Sequence, residues 1–140
     1  MTTSALASTS SRGWHWTLWA LQILLAAFFL MAGITKATQP LETLPTMIPW
    51  ASDVPGWLVR FIGVSEFAGA LGLILPAATR IVPQLTTFAA IGLATVMVLA
   101  VGFHITRGEP FVMQLAVAAV ASVVAWGRLK KAPIAPRTRS

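Results

Sequence analysis

The stretch from Trp57 to Pro76, WLVRFIGVSEFAGALGLILP, constrains the chain most. It is apolar almost throughout and ends in proline. At about 1.5 Å per residue, it is long enough to cross the ~30 Å hydrocarbon core of a bilayer. One carboxylate, Glu66, sits in its middle. An ionisable side chain at that depth costs at least ~2.5 kcal/mol, so it needs a partner or a task. Gly63 stands beside it, and Ser65, Gly69, Gly72 and Pro76 recur at i, i+4, i+7 and i+11. That spacing puts small residues on one helix face, where a second helix can approach closely.

Three further apolar stretches accompany this one, giving spans at about 16–35, 57–75, 81–104 and 110–127. The first is too long for the apolar core of a secretory signal peptide, reaches Lys36 without a convincing cleavage site, and is read as a span. The fourth opens at Pro110, a favourable first helical position. Hydrophobic residues make up 56% of the sequence and charged residues 10%, against roughly 25% charge in soluble domains. The expected fold is all-α: an integral membrane four-helix bundle occupying residues 14–129. Residues 1–13 are expected to be a disordered N-terminal segment, and residues 130–140 a disordered basic tail. Between the first two spans, Pro40, Pro45, Pro49 and Pro55 forbid a long regular helix. Leu41, Leu44, Met47, Ile48 and Trp50 nevertheless keep a helical apolar stripe, which suggests either a short segment lying over the bundle or a loop dipping into the headgroup zone.

Basic residues set the expected orientation. With four spans, Arg12, Arg80, Arg128, Lys130, Lys131, Arg137 and Arg139 fall on one side, and Lys36, Arg60 and Arg107 on the other. Both termini are therefore expected in the cytoplasm. The net charge of +6 collects at span ends and in loops rather than on a soluble basic face, so nucleic acid is not an expected partner. The chain has no cysteine, which removes thiol catalysis, thiolate metal sites and Cys-ligated clusters. No phosphate loop, nucleophile elbow or HExxH pattern is present, so no catalytic or metal-binding residue is assigned.

The candidate ligand or proton site lies in the outer half of the bundle: Glu66, Lys36, His104, Arg60 and Gln114. Glu66 has three readings: a structural carboxylate bonded to a neighbouring helix, a protonatable site on a redox or transport path, or a protonated acid facing lipid. Arg60 is an unfavourable partner for it, because six residues separate them along the helix. Lys36 either snorkels to the surface or points at Glu66 or an anionic ligand. His104 is an interfacial hydrogen-bonding residue or a ligand. His15 lies at the opposite end, so the two histidines cannot ligate one haem. Glu109 suits a helix N-terminus. Gly63, Ser65, Gly69 and Gly72 are the helix-packing candidates.

RFIGVSEFAGALGLILP, preceded by Val54-Pro55-Gly56, resembles the second helix of the DoxX-like family of small bacterial membrane proteins. FFLMAGITKAT resembles that family's first helix, and AAIGLATVMVLAVGFHITRGE its third. The resemblance spans residues 18–130 and implies a four-helix membrane bundle. The family takes its name from a membrane subunit linked to a terminal oxidase and to thiosulfate:quinone oxidation, and relatives are connected with oxidative-stress complexes. The resemblance implies an accessory subunit of a redox complex in the bacterial inner membrane, with the bilayer and either a redox enzyme or further copies of the chain as partners. The alternatives are a quinone- or small-ligand-binding redox subunit, with quinone as the candidate cofactor, and a small proton- or cation-coupled transporter.

Overall fold

The computed structural model describes residues 2–138, with side chains from Ser11 onward; Met1, Arg139 and Ser140 lie outside the described residues. The fold is all-helical: α1 (Thr2–Thr38), α2 (Leu44–Met47), α3 (Gly56–Thr79), α4 (Gln84–Thr106) and α5 (Val112–Lys130), with a 3-10 turn at Pro49–Asp53. Four segments are long and apolar enough to cross a membrane: Ser11–Thr38, Gly56–Thr79, Gln84–Thr106 and Val112–Lys130. At 1.5 Å per residue the shortest, α5, covers about 28 Å, close to the hydrocarbon thickness.

The long helices form a closed ring in which α1 packs on α3, α3 on α4, α4 on α5 and α5 back on α1. Leu18, Leu25, Phe29, Leu73, Leu93 and Val124 fill the centre. Large apolar side chains elsewhere point outward, among them Phe61, Val64, Leu75, Phe88 and Leu99. An apolar exterior around an apolar centre is what a bilayer solvent demands, since lipid tails do not drive side chains inward.

Helix boundaries differ from the sequence expectation where local chemistry is outweighed. Helix α1 already begins at Thr2, within the segment expected to be disordered. No proline occurs in residues 2–38, and Ala5, Leu6 and Ala7 are good helix formers. An established helix extends more easily than it nucleates. Helix α3 runs past Pro76 to Thr79 and closes through the Arg80 N–H bond to the Pro76 carbonyl. Pro76 costs one internal bond but does not stop the following turn. The α3–α4 link is then very short, and Arg80 and Val82 take positive φ values of 59° and 45°. Such a backbone is unfavourable for a β-branched residue. Helix α5 starts at Val112 rather than Pro110.

Residues 37–56 lie against the bundle end that we call the loop end. Leu44 is fully buried, and the Trp50 ring meets Phe103 edge-on at 6.1 Å. The opposite, tail end carries the α3–α4 link and the residues after α5. Here the residues after α5, expected to be a disordered tail, meet the α3–α4 link. Arg80 Nε donates to the Ala135 carbonyl at 2.9 Å, and the Arg137 N–H donates to the Arg80 carbonyl at 2.9 Å. Ala132 is 4% exposed. Carbonyls of the tail thus satisfy the Arg80 guanidinium, which has no ion pair among the described residues.

Candidate functional site

Glycine makes the central crossing. A Cβ built on Gly33 would lie 2.7 Å from the Gly63 carbonyl oxygen and 2.7 Å from the Phe67 nitrogen. One on Gly63 would lie 2.7 Å from the Ala37 nitrogen. These neighbours are backbone atoms, so α1 and α3 touch main chain to main chain. One turn further on the same faces, three residues along each helix, stand Lys36 and Glu66. The close crossing brings Lys36 Nζ to 2.7 Å from Glu66 Oε2, with the two side chains 11% and 2% exposed. Arg60 Nη1 donates to the Lys36 carbonyl at 2.8 Å. It thereby satisfies an orphan carbonyl at the C-terminus of α1 and sits favourably at the negative end of its dipole. Arg60 thus belongs to the same locus without pairing to Glu66.

The small-residue row serves a different contact. Ser65 Oγ bonds back to the Phe61 carbonyl at 2.8 Å. Gly69 faces the side chain of Leu93, and a Cβ on Gly72 would meet Ala89 Cβ at 2.8 Å. Gly63 and Glu66 therefore face α1, while Gly69 and Gly72 accommodate α4.

His104 and Gln114 form a second polar set at the loop end. Nδ1 of His104 lies 2.8 Å from Glu109 Oε2, and Nε2 lies 3.2 Å from Gln114 Nε2. Arg107 pairs with Glu109 at 2.7 Å and also bonds Asp53 of the 3-10 turn, tying residues 37–56 to α4. Gly108, at φ 67°, provides the left-handed turn that folds Glu109 back onto α4. Glu109 is therefore an ion-pair partner before α5 begins, not a residue of its first turn. Among the described residues, no hydrogen bond joins this set to Lys36–Glu66. The five candidates thus form two separate clusters.

The Arg107 hydrogen bond holds the Glu109 carboxyl below the ordinary 4.5 of a glutamate, and the same contact raises the Arg107 guanidinium. A depressed carboxyl contributes stability that is present above its unfolded pKa and is lost as pH falls through its folded value. Acidification below about 4.5 is therefore expected to loosen the 37–56 segment first. The check is hydrogen exchange at residues 44–53 against pH: Glu109→Gln should raise exchange at neutral pH and match the wild type in acid. Equal exchange at neutral pH would remove Glu109 from this role.

A third set, at the tail end, is not visible in the sequence as a cluster. Gln22 is fully buried and donates from Nε2 to the Leu73 carbonyl at 2.6 Å. Arg128 Nε donates to Gln22 Oε1 at 2.6 Å, and Arg128 Nη1 donates to the Ala132 carbonyl at 3.1 Å and lies 3.3 Å from His15 Nδ1. From its position at the end of an apolar span, Arg128 reads as a headgroup-facing residue. In the fold it is 4% exposed. The available signal was Gln22, an amide inside a span. It predicts a buried partner but does not say which.

Among the described residues, no group of three or more His, Asp or Glu side chains is placed to hold a metal ion. The polar sets join helices to one another: α1 to α3, α4 to the 37–56 segment and α5, and α1 to α3 and α5. No curated protein and no solved structure shows significant similarity. A family model for the DoxX-like family matches residues 20–127. That match covers most of the chain and reaches into all four membrane-length helices: the protein is an integral membrane protein of the DoxX-like family.

Proposed function

We propose that the chain is an accessory subunit of a redox complex in the bacterial inner membrane, with both termini in the cytoplasm, rather than an enzyme by itself. The observation that carries this reading is the Lys36–Glu66 pair. The charged group buried deepest in α3 is engaged by a lysine at 2.7 Å and is 2% exposed, which supports a structural role in holding α1 to α3. Family membership supports the redox association. The test is isolation from native membrane after mild crosslinking, with identification of copurifying chains. A redox enzyme recovered in stoichiometric amount is expected; recovery of the chain alone or only with itself would overturn the reading.

One observation favours a second reading, a ligand-binding redox subunit. Gln114 Oε1 is buried without a hydrogen-bond partner, beside His104. An unpaired buried acceptor fits a hydroxyl donor such as a quinol. Quinone in a solvent extract of the purified protein, lost in Gln114→Leu, would favour this alternative.

The orientation has its own test. Reporter fusions after Arg12, at Arg80 and at the C-terminus should all report cytoplasm, and one near Ser52 the outer side. Opposite reports from Arg80 and the C-terminus would break the four-span topology.

A further inference from the structure

Arg128 is a buried cation with no anion among its partners in the described residues. Its hydrogen-bonding partners are the Gln22 amide, the Ala132 carbonyl and His15, its guanidinium carbon lies 5.7 Å from the centre of the Trp19 ring, and Nη2 is buried with no hydrogen-bond partner. The sequence has four acidic side chains, Glu42, Asp53, Glu66 and Glu109. Two lie in or next to the 37–56 segment, Glu66 is paired to Lys36, and Glu109 bonds Arg107 and His104. None is among the partners of Arg128. A buried guanidinium is strongly unfavourable unless its charge and its donors are matched.

Arg128 also lines a cavity of about 360 Å³ between the start of α4 and the end of α5, together with Gln84, Thr87, Phe88, Ile91 and Leu129. The N-terminus of α4 lies here, with no side-chain cap and no acidic residue in its first turn. The Leu85 and Thr86 N–H groups already bond the Val82 and Pro83 carbonyls, so what this end offers an anion is the positive pole of a long helix. The cavity's other walls suit a different chemistry. Phe88, Ile91 and Leu129 are 66%, 44% and 56% exposed on the outside of the bundle, where acyl chains run.

We propose that this cleft binds one acidic phospholipid, its phosphate received by Arg128 and the N-terminal end of α4, and its acyl chains laid along Phe88, Ile91 and Leu129. A free phosphate satisfies the cation but gains nothing from the apolar wall. A zwitterionic lipid brings its own cation to a tail end that already holds Arg80, Lys130 and Lys131 and repels it. The remaining wall is Pro133–Ile134, a non-helical segment next to Ala135, whose carbonyl accepts from Arg80.

The experiment uses the full chain in phosphatidylcholine nanodiscs doped with phosphatidylglycerol, with retained lipid counted by native mass spectrometry and stability followed as Tm. Wild type should retain one phosphatidylglycerol and gain Tm from it. Arg128→Gln also breaks the contact to Gln22, so the decisive variant is Gln84→Glu. A glutamate in the first turn of α4 favours the helix while placing a negative charge at the phosphate position. It should fold with a Tm in pure phosphatidylcholine at or above that of the wild type and lose roughly tenfold in phosphatidylglycerol retention. Lys130→Gln with Lys131→Gln should leave the retained lipid in place. Retention by Gln84→Glu equal to wild type would overturn the proposal. So would equal loss in the lysine double variant, which would reduce binding to surface charge. Inorganic phosphate giving the same Tm gain in phosphatidylcholine would assign the site to a free anion and overturn the lipid.

Discussion

Glu66→Leu is expected to be among the most damaging single substitutions in the chain, costing about 3–5 kcal/mol. The loss does not measure the worth of the ion pair. It arises because Lys36 Nζ, 2.7 Å from the carboxylate and in a side chain 11% exposed, is left as an uncompensated cation between two helices. Glu66→Gln should be milder than Glu66→Leu: it leaves the ammonium charge unmatched too, but the amide keeps the shape and an oxygen for the ammonium to donate to. The informative variant is the double one, Lys36→Met with Glu66→Leu. Replacing both charges by apolar groups of similar volume is often neutral or stabilising, so much of the lost stability should return. Thermal unfolding in detergent, read beside recovery of the copurifying partner, separates the outcomes. A Gln variant that unfolds like wild type but loses the partner or its activity would move Glu66 from structure to function. A double variant as unstable as Glu66→Leu would mean that the pair supplies something its apolar replacement cannot.

Gly33→Leu and Gly63→Leu are expected to abolish most folded yield, more severely than Gly69→Leu or Gly72→Leu. At the first two positions even a Cβ would come within 2.7 Å of backbone atoms of the facing helix, so whole helices must part. At Gly69 the obstructing atoms belong to the Leu93 side chain, which can change rotamer, and at Gly72 to a single Ala89 Cβ. Parting α1 from α3 also stretches the Lys36–Glu66 contact, so packing and electrostatic losses arrive together and are not additive. Overpacking alone typically costs about 1–3 kcal/mol, and here it adds to the broken pair. Size-exclusion recovery and Tm for the four variants provide the ranking. If Gly69→Leu and Gly72→Leu proved the more damaging, the α3–α4 contact rather than the α1–α3 crossing would organise the bundle.

That the chain carries four membrane-length helices was legible in the sequence, because a bilayer imposes one local rule on every spanning segment: about twenty apolar residues with their backbone bonded internally. That rule can be applied to Trp57–Pro76 without knowing what lies beside it. Glu66 was legible as a residue needing a partner for the same reason. Its partner was not, because Lys36, Arg60 and His104 all fall toward the same end of their spans in the sequence, and position along a span does not specify which helix is adjacent. Gly33 decided the matter. It lets α1 approach α3 closely enough for Lys36 to reach Glu66, but glycine in an apolar span carries no mark of the helix it will face. Arg128 shows the same limit from the other side. Its position at the end of a span satisfied every local rule for a headgroup-facing arginine. Only the packing of α5 on α1 turned it inward to Gln22, a residue more than a hundred positions away in the chain. Segment hydropathy is a property of consecutive residues and survives in the sequence. The pairing of buried polar groups is a property of helix neighbours, and it comes into being only when small residues allow particular helices to meet.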